Sequence, residues 1–260
     1  MKRNWLKGYA WATFAFLYIP ILILMVLSFN ASRISSVWQG FTLAWYIKLW
    51  NSSLLWEAVR NSLIISVATA VLSTVIGTLT ALALARNRLP GQIIIEALLY
   101  LPVVLPDIVL GVGALVLFSA MGIKLGLTTL LATHVGTILS YVVVVLRARL
   151  ADMDESLEEA AADLGAGRWQ TLWHVTLPIL APGILAGALL AFTLSLDDFI
   201  LSFFTAGPGA TTLPLRVYSM VKTGITPEVN ALSTVLLLMT GIATALFAKL
   251  TGDSAEKEST

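Results

Sequence analysis

Apolar residues run along this chain in long stretches, and the polar residues are gathered between them. The stretches fall at roughly 9–29, 61–85, 93–121, 127–147, 178–202 and 229–249, each near or above the ~20 residues with which an α-helix crosses ~30 Å of hydrocarbon. They are too long and too evenly apolar for the ~10-residue alternating strands of a barrel, and backbone groups in lipid must be satisfied internally. The pattern predicts an all-α integral membrane protein: a bundle of six transmembrane helices forming a single domain over 1–260. The first stretch follows Lys2, Arg3 and Lys7, but it exceeds the ~7–15 apolar residues of a signal peptide and lacks a clear small-residue cleavage site, so it is expected to be an uncleaved span.

Between the spans, the longest outside connection runs from Asn30 to Asn61 and carries Trp38, Trp45, Trp50 and Trp56, a set suited to the membrane interface. The third stretch is interrupted: YLPVVLPDIVLGVG places Pro102 and Pro106 four residues apart beside Asp107. A proline removes a backbone donor and clashes with the preceding turn, which predicts a kink at that acid. A polar island separates the fourth and fifth stretches, forming a loop at about 152–177. In it Asp152, Asp154 and Ser156 are N-cap candidates, and Ser156 with Glu159 fits a capping box. The Ala-rich run Leu157–Leu164 favours a helix that stops at Gly165, and Trp169, Leu172 and Trp173 share one face of a second short helix over 168–175. The last residues, 251–260, are polar and expected to be disordered.

Composition sharpens this picture in three places. Hydrophobic residues make up 58% and charged residues 12%, against about 25% charged in soluble domains. With an N-terminus inside, ten basic residues lie on the inner segments and six on the outer ones, so both termini are expected in the cytoplasm. The chain has no cysteine and two histidines, His134 and His174, without metal-ligand spacing. It also lacks a G-x-x-x-x-G-K-[ST] phosphate loop, so nucleotide energy would have to come from another chain.

Membrane-embedded acids are few: Asp107, Asp197 and Asp198, with Glu96 near enough to the cytoplasmic end of its span to reach water. Each costs at least ~2.5 kcal/mol at a helix centre, which makes a functional role the default expectation. In SLDDF, Asp197 and Asp198 are about 100° apart on a helix, so one is expected to line a path while the other caps a broken helix or pairs with a base. No basic residue sits in either span, which leaves a cationic solute as the natural counter-charge. Separated carboxylates suit an extended amine better than a hard metal ion, which wants several oxygens together, and Trp45 offers a cation–π face.

The island carries a resemblance. Glu159-Ala160-Ala161, then Gly165 after three residues, then Val175, Leu177 and Pro178 after nine more, is similar to the E-A-A-x(3)-G-x(9)-I-x-L-P signature of inner-membrane permease subunits of ABC importers, with Val175 in place of isoleucine. The segments SFNASR, WQGFTLAWY, LPDIV, FTLSLDDFI, GPGATTLPLRVYSMVK and PEVNALST resemble the spermidine/putrescine permeases of the second-permease type. The resemblance implies a MetI-like ABC importer permease bundle whose cytoplasmic coupling helix docks into an ATPase, with Glu159, Ala160, Ala161, Gly165, Leu177 and Pro178 as the coupling positions. It implies an ATPase dimer, a second and different permease, and a periplasmic polyamine-binding protein as partners, no nucleic acid, and no cofactor in this chain, with ATP and Mg held by the ATPase. Trp45, Asp107, Ser195, Asp197 and Asp198 are the implied positions for solute passage. Rival expectations are an importer permease for ferric iron, sulfate or an opine-like amine, a scaffold subunit, and an intramembrane aspartyl hydrolase built on Asp107 and Asp198, which would need two carboxylates within ~3 Å.

Overall fold

The computed structural model describes residues 2–32, 37–86, 90–154, 156–222, 224 and 226–257, with side-chain surroundings from residue 5 to residue 242. All described elements are helical: α1 (Lys2–Leu27), α2 (Ala44–Trp50), α3 (Ser53–Arg86), α4 (Gln92–Val104), α5 (Asp107–Ala120), α6 (Leu127–Ala151), α7 (Ser156–Asp163), α8 (Arg168–Thr171), a π-helical segment (Leu172–Thr176), α9 (Leu177–Asp197), α10 (Ile200–Thr205), α11 (Leu213–Lys222) and α12 (Pro227–Lys257).

Four stretches are long and apolar enough to cross a membrane: Trp5–Leu27, Ser53–Arg86, Leu127–Ala151 and Arg168–Asp197. The helices α4 and α5 make a fifth if they count as one broken span, since they meet at 113°. The expected kink is thus a full break, and its cause is local. Pro106 excludes Leu105 from the helical region, and Leu105 sits extended at φ −76°, ψ 142°. The sixth expected span lies on α12, whose apolar part with described side chains, Pro227–Ile242, is short of the ~20 residues of a full crossing. Residues 251–257 of the expected disordered tail are helical, and 258–260 lie outside the described residues.

The chain divides into two compact units, Met1–Leu55 with Val217–Thr260, and Trp56–Arg216. In the first, Asn30 is a fully buried hub: its Nδ2 donates to the Val37 carbonyl at 2.7 Å, and its Oδ1 accepts from the Ser32 and Gln39 amides at 3.2 and 2.9 Å. Phe29 stacks on Phe41 at 5.3 Å and meets Tyr46 at 5.2 Å. These contacts turn the segment after α1 back on itself and aim α2.

The second unit is built around α6 and α9. Gly183, Gly187, Ala191 and Ser195 recur every fourth residue and are the buried stripe of α9 together with Leu180. Small residues at that spacing let two helices approach closely in lipid, where dispersion rather than water exclusion holds them. A Cβ added at Gly187 would stand 3.2 Å from Val142 of α6, and one at Gly183 would stand 3.0 Å from Arg149. Val142, Val143, Leu146 and Ala191 form the centre of this core.

Beyond α10, the segment GPGA makes a tight turn in which the Ala210 amide donates to the Gly207 carbonyl at 3.0 Å and Gly209 takes φ +76°. Pro at the second and Gly at the third position is the chemistry of a type II turn. Asn61 of α3 donates to the Gly209 and Thr211 carbonyls at 3.0 and 3.1 Å, and Ser62 accepts the Leu213 amide at 2.7 Å, so the loop is sewn to α3.

Candidate functional site

The polar island is ordered by its own backbone. The Ser156 amide donates to Asp154 Oδ1 at 3.0 Å, so Asp154 rather than Ser156 caps α7, and that hydrogen bond holds the Asp154 carboxyl below the ordinary aspartate range. At the other end the Ala166 amide reaches the Ala161 carbonyl at 3.0 Å and the Gly165 amide the Ala162 carbonyl at 2.9 Å, with Gly165 at φ +86°. This pair of bonds is the Schellman termination, and the left-handed residue it needs is the glycine. The second short helix does not stand alone: α8 continues through the π-helical segment Leu172–Thr176 into α9, giving one run from Arg168 to Asp197.

Glu159 and Ala160 point to solvent, Ala161 is half-buried, and Gly165 and Pro178 are exposed with Leu177 partly covered. Leu164, Trp169 and Trp173 are 90%, 74% and 63% exposed, three large apolar side chains left uncovered on the island. The acid that holds the island down is Glu158. It pairs with Arg86 at the end of α3 and accepts from the buried Thr176 hydroxyl at 2.6 Å, while Arg86 also reaches Thr176 Oγ1 at 3.3 Å. A recess of about 340 Å³ opens there between Ala85, Arg86, Leu150, Met153, Glu158 and Glu159. Sequence reading missed both partners of this clip, because Arg86 lies seventy-two positions away from Glu158 and nothing local announces the pairing.

The acid-bearing spans are both interrupted at their acids. Asp107 is the first residue of α5, exposed, directly after the Leu105–Pro106 break. α9 ends at Asp197, Asp198 leaves the helical region at φ −62°, ψ 127°, and α10 restarts at Ile200. α5 and α10 pack together, with Gly111 so close to Phe204 that an added Cβ would fall 2.9 Å from its ring.

At the second break the two aspartates part company. Asp198 Oδ1 accepts the Leu201 amide at 3.2 Å and Oδ2 the Ser202 amide at 2.8 Å, capping α10. Its Oδ2 also lies 3.2 Å from Nε2 of His134, a fully buried residue of α6. The same imidazole reaches Ser195 Oγ through Nδ1 at 2.8 Å and Ser202 Oγ through Nε2 at 3.3 Å. A carboxylate only accepts, so its partner assigns the proton to Nε2. The structure therefore brings Ser195 and Asp198 together through a histidine, and the oxygens of Asp198 are engaged by amides and imidazole rather than by a second carboxylate. The base that the aspartate-bearing spans lack is supplied from α6. Asp197, next in sequence, is exposed. Its carboxylate stands at the carbonyl end of a 21-residue helix, where the helix dipole is already negative and a cation is stabilising. Glu96 pairs with Arg147 at 3.3 Å and accepts from Gln92 at 2.9 Å, a structural arrangement between α4 and α6.

In the first unit, Trp45 Nε1 donates to the Asn30 carbonyl at 2.8 Å, which fixes the indole. The Lys48 ammonium lies 5.9 Å from the centre of its ring and pairs with Glu228 at the start of α12.

The model of the family described as "Binding-protein-dependent transport system inner membrane component" matches residues 73–251. The chain is 46% identical over 232 residues to the spermidine/putrescine transport system permease protein PotC of Escherichia coli (strain K12), covering 89% of this chain and 88% of that one. It is 41% identical over 236 residues to the putrescine transport system permease protein PotI of the same strain, covering 88% and 84%. In fold it is similar to a chain of a bacterial ABC transporter involved in the import of the acidic polysaccharide alginate, at a TM-score of 0.75, 16% identity and 95% coverage of both chains.

Proposed function

The chain belongs to the family of binding-protein-dependent transport system inner membrane components, and from that premise we propose that it forms half of the translocation pathway of an ATP-driven importer for polyamines. It is a multi-pass inner-membrane permease of the ABC importer class. The observation that carries the solute class is the exposed Asp197 carboxylate at the carbonyl end of α9, a place that draws a cation and repels an oxyanion. The polyamine names of the relatives agree with it.

Six spans, with both termini cytoplasmic, place α7 and α8 on the ATPase side. There the exposed Leu164, Trp169 and Trp173, beside Glu159, Ala160 and Gly165, make the plug for an ATPase dimer that holds the ATP and Mg. A different permease completes the pathway, and a periplasmic polyamine-binding protein delivers the solute. Trp45, Asp107, Ser195, Asp197 and Asp198 are the positions on which solute passage depends, Asp107 and Asp197 as the exposed carboxylates and Ser195 and Asp198 through the structure they hold.

The test is uptake of radiolabelled putrescine and spermidine in cells lacking their own polyamine importers, with this chain expressed beside its operon neighbours. Wild-type complex is expected to give ATP-dependent uptake, and Asp107→Asn to lower it with the complex still assembled. An intact wild-type complex that imports neither amine would remove the polyamine reading.

Trp45 gives a second expectation in the same assay. Its face is held by Lys48, and an exposed cation–π contact contributes roughly 0.5–1 kcal/mol. Trp45→Ala should therefore raise the KM for spermidine about two- to fivefold. Lys48→Ala, which removes a competing ammonium, should lower it by a similar factor. Equal KM values in all three proteins would take Trp45 off the pathway.

A further inference from the structure

Four polar side chains meet where α9 breaks, and three of them come from the two sides of that break: Ser195 from α9, Asp198 from the break itself, and Ser202 from α10. The fourth, His134, comes from α6 and touches all three, at 2.8, 3.2 and 3.3 Å. His134 and Ser202 are fully buried, Ser195 is 5% exposed and the Asp198 side chain 10%, so the network is largely screened from solvent. Thr129, one turn and a half earlier on α6, donates to the Thr205 carbonyl at 3.0 Å and ties down the far end of α10. The short helix α10, only six residues long, cannot hold a direction by its own backbone. Its direction is set by packing on α5 and by these polar bonds to α6.

We propose that His134 is the positioning residue of the acid pair: it clamps Asp198 into the α9–α10 break and so leaves Asp197 alone as the carboxylate that meets an ammonium of the solute. With two amides and an imidazole on its oxygens, Asp198 has its acceptor sites committed inside the fold. A solute ammonium reaching it would have to displace buried donors that would then be left unpaired, a costly exchange. Among the described residues, Asp197 receives no such donor from α6 or α10, and it lies on the exposed side of the same turn. The division of labour follows from the break: a continuous helix would have set the two carboxylates about 100° apart on one rod, whereas here one is locked inward and its neighbour is turned out. This rests on the cationic-solute reading given above, and neither member of the clamp is assigned a contact with solute.

The test separates binding from turnover in the assembled importer. Asp197→Asn is expected to raise the KM for spermidine about tenfold, the loss of one ammonium–carboxylate contact of ~1.4 kcal/mol. Asp198→Asn and His134→Ala are expected to lower the maximal rate with KM within about twofold. The double variant should be no worse than either alone, since residues in one network do not add. His134→Gln, which restores a side-chain N–H donor, should recover part of the rate lost in His134→Ala.

A second measurement does not depend on transport. The chain has no cysteine, so Asp197→Cys is a clean thiol site. A cationic thiol reagent should label it rapidly in the His134 background and at least severalfold more slowly with His134→Ala. Asp198→Asn raising KM as Asp197→Asn does, additivity of the His134 and Asp198 changes, or labelling indifferent to His134 would each overturn the clamp. Wild-type complex that imports no amine but shows His134-dependent labelling would keep the clamp and remove the polyamine.

Discussion

Gly165→Val is expected to strip the ATPase from the complex, with about tenfold less of it retained on affinity-purified permease than with the wild-type chain. The backbone at this residue is left-handed, φ +86°, which a residue with a Cβ occupies at a cost of ~1–2 kcal/mol and a β-branched one less readily still. Because ~1.4 kcal/mol is a tenfold change in an equilibrium, the equilibrium constant for the Schellman end of α7, and with it the affinity for a partner that requires that end, falls by up to about that factor. Space is not the issue, since nothing stands within 4 Å of an added Cβ. That separates two explanations experimentally. Gly165→Asn, which tolerates the left-handed region, should retain the ATPase, whereas a packing effect would penalise both. Valine and wild type giving equal retention would take the α7 terminus out of the docking surface.

Gly207→Ala should be the most damaging single-methyl change in the second unit, and for the opposite reason. The added Cβ would fall 1.9 Å from the Leu125 carbonyl oxygen and 2.2 Å from its carbon, both backbone atoms at the entry to α6. A flexible side chain can swing aside, but a peptide plane cannot move without carrying α6 with it, so the cost should reach the upper end of the ~1–3 kcal/mol typical of overpacking, or exceed it. The neighbouring Gly209→Ala meets open space at φ +76° and should cost only ~1 kcal/mol of backbone strain. Melting of the detergent-solubilised complex by a fluorescence shift should rank wild type above Gly209→Ala and Gly209→Ala above Gly207→Ala. The reverse order would mean that the loop is not seated against α6.

The apolar runs located the long helices because lipid forces each crossing to satisfy its backbone within one segment, and that constraint is written in every residue of the run. The prolines likewise announced the interruption beside Asp107, although not that it would bend by 113°. The same signals say less where a break has no proline. SLDDFI leaves open whether one aspartate caps a broken helix or pairs with a base, and what ends α9 there is the set of partners waiting for Asp198 on α6 and α10. His134 was legible only as a lone histidine with no ligand spacing, since its three contacts lie sixty-one to sixty-eight positions away along the chain. Glu158 shows the same limit. In the motif it stands one place before the acid that the resemblance selects, yet it is the one folded inward onto Arg86 and Thr176. Asn30 had no motif role beyond resemblance, and its three side-chain hydrogen bonds shape the segment that fixes Trp45.

The π-helical segment has a mechanical meaning as well. Because it joins α8 to α9 without interruption, the thirty residues from Arg168 to Asp197 behave as one rod of about 45 Å at ~1.5 Å per residue. A rod that pivots near its middle moves its two tips in opposite directions, and a tilt of about 5° displaces each tip by ~2 Å over that half-length. A push on Trp169 and Trp173 at one tip thus arrives at Asp197 at the other as a displacement of equal size and opposite sense.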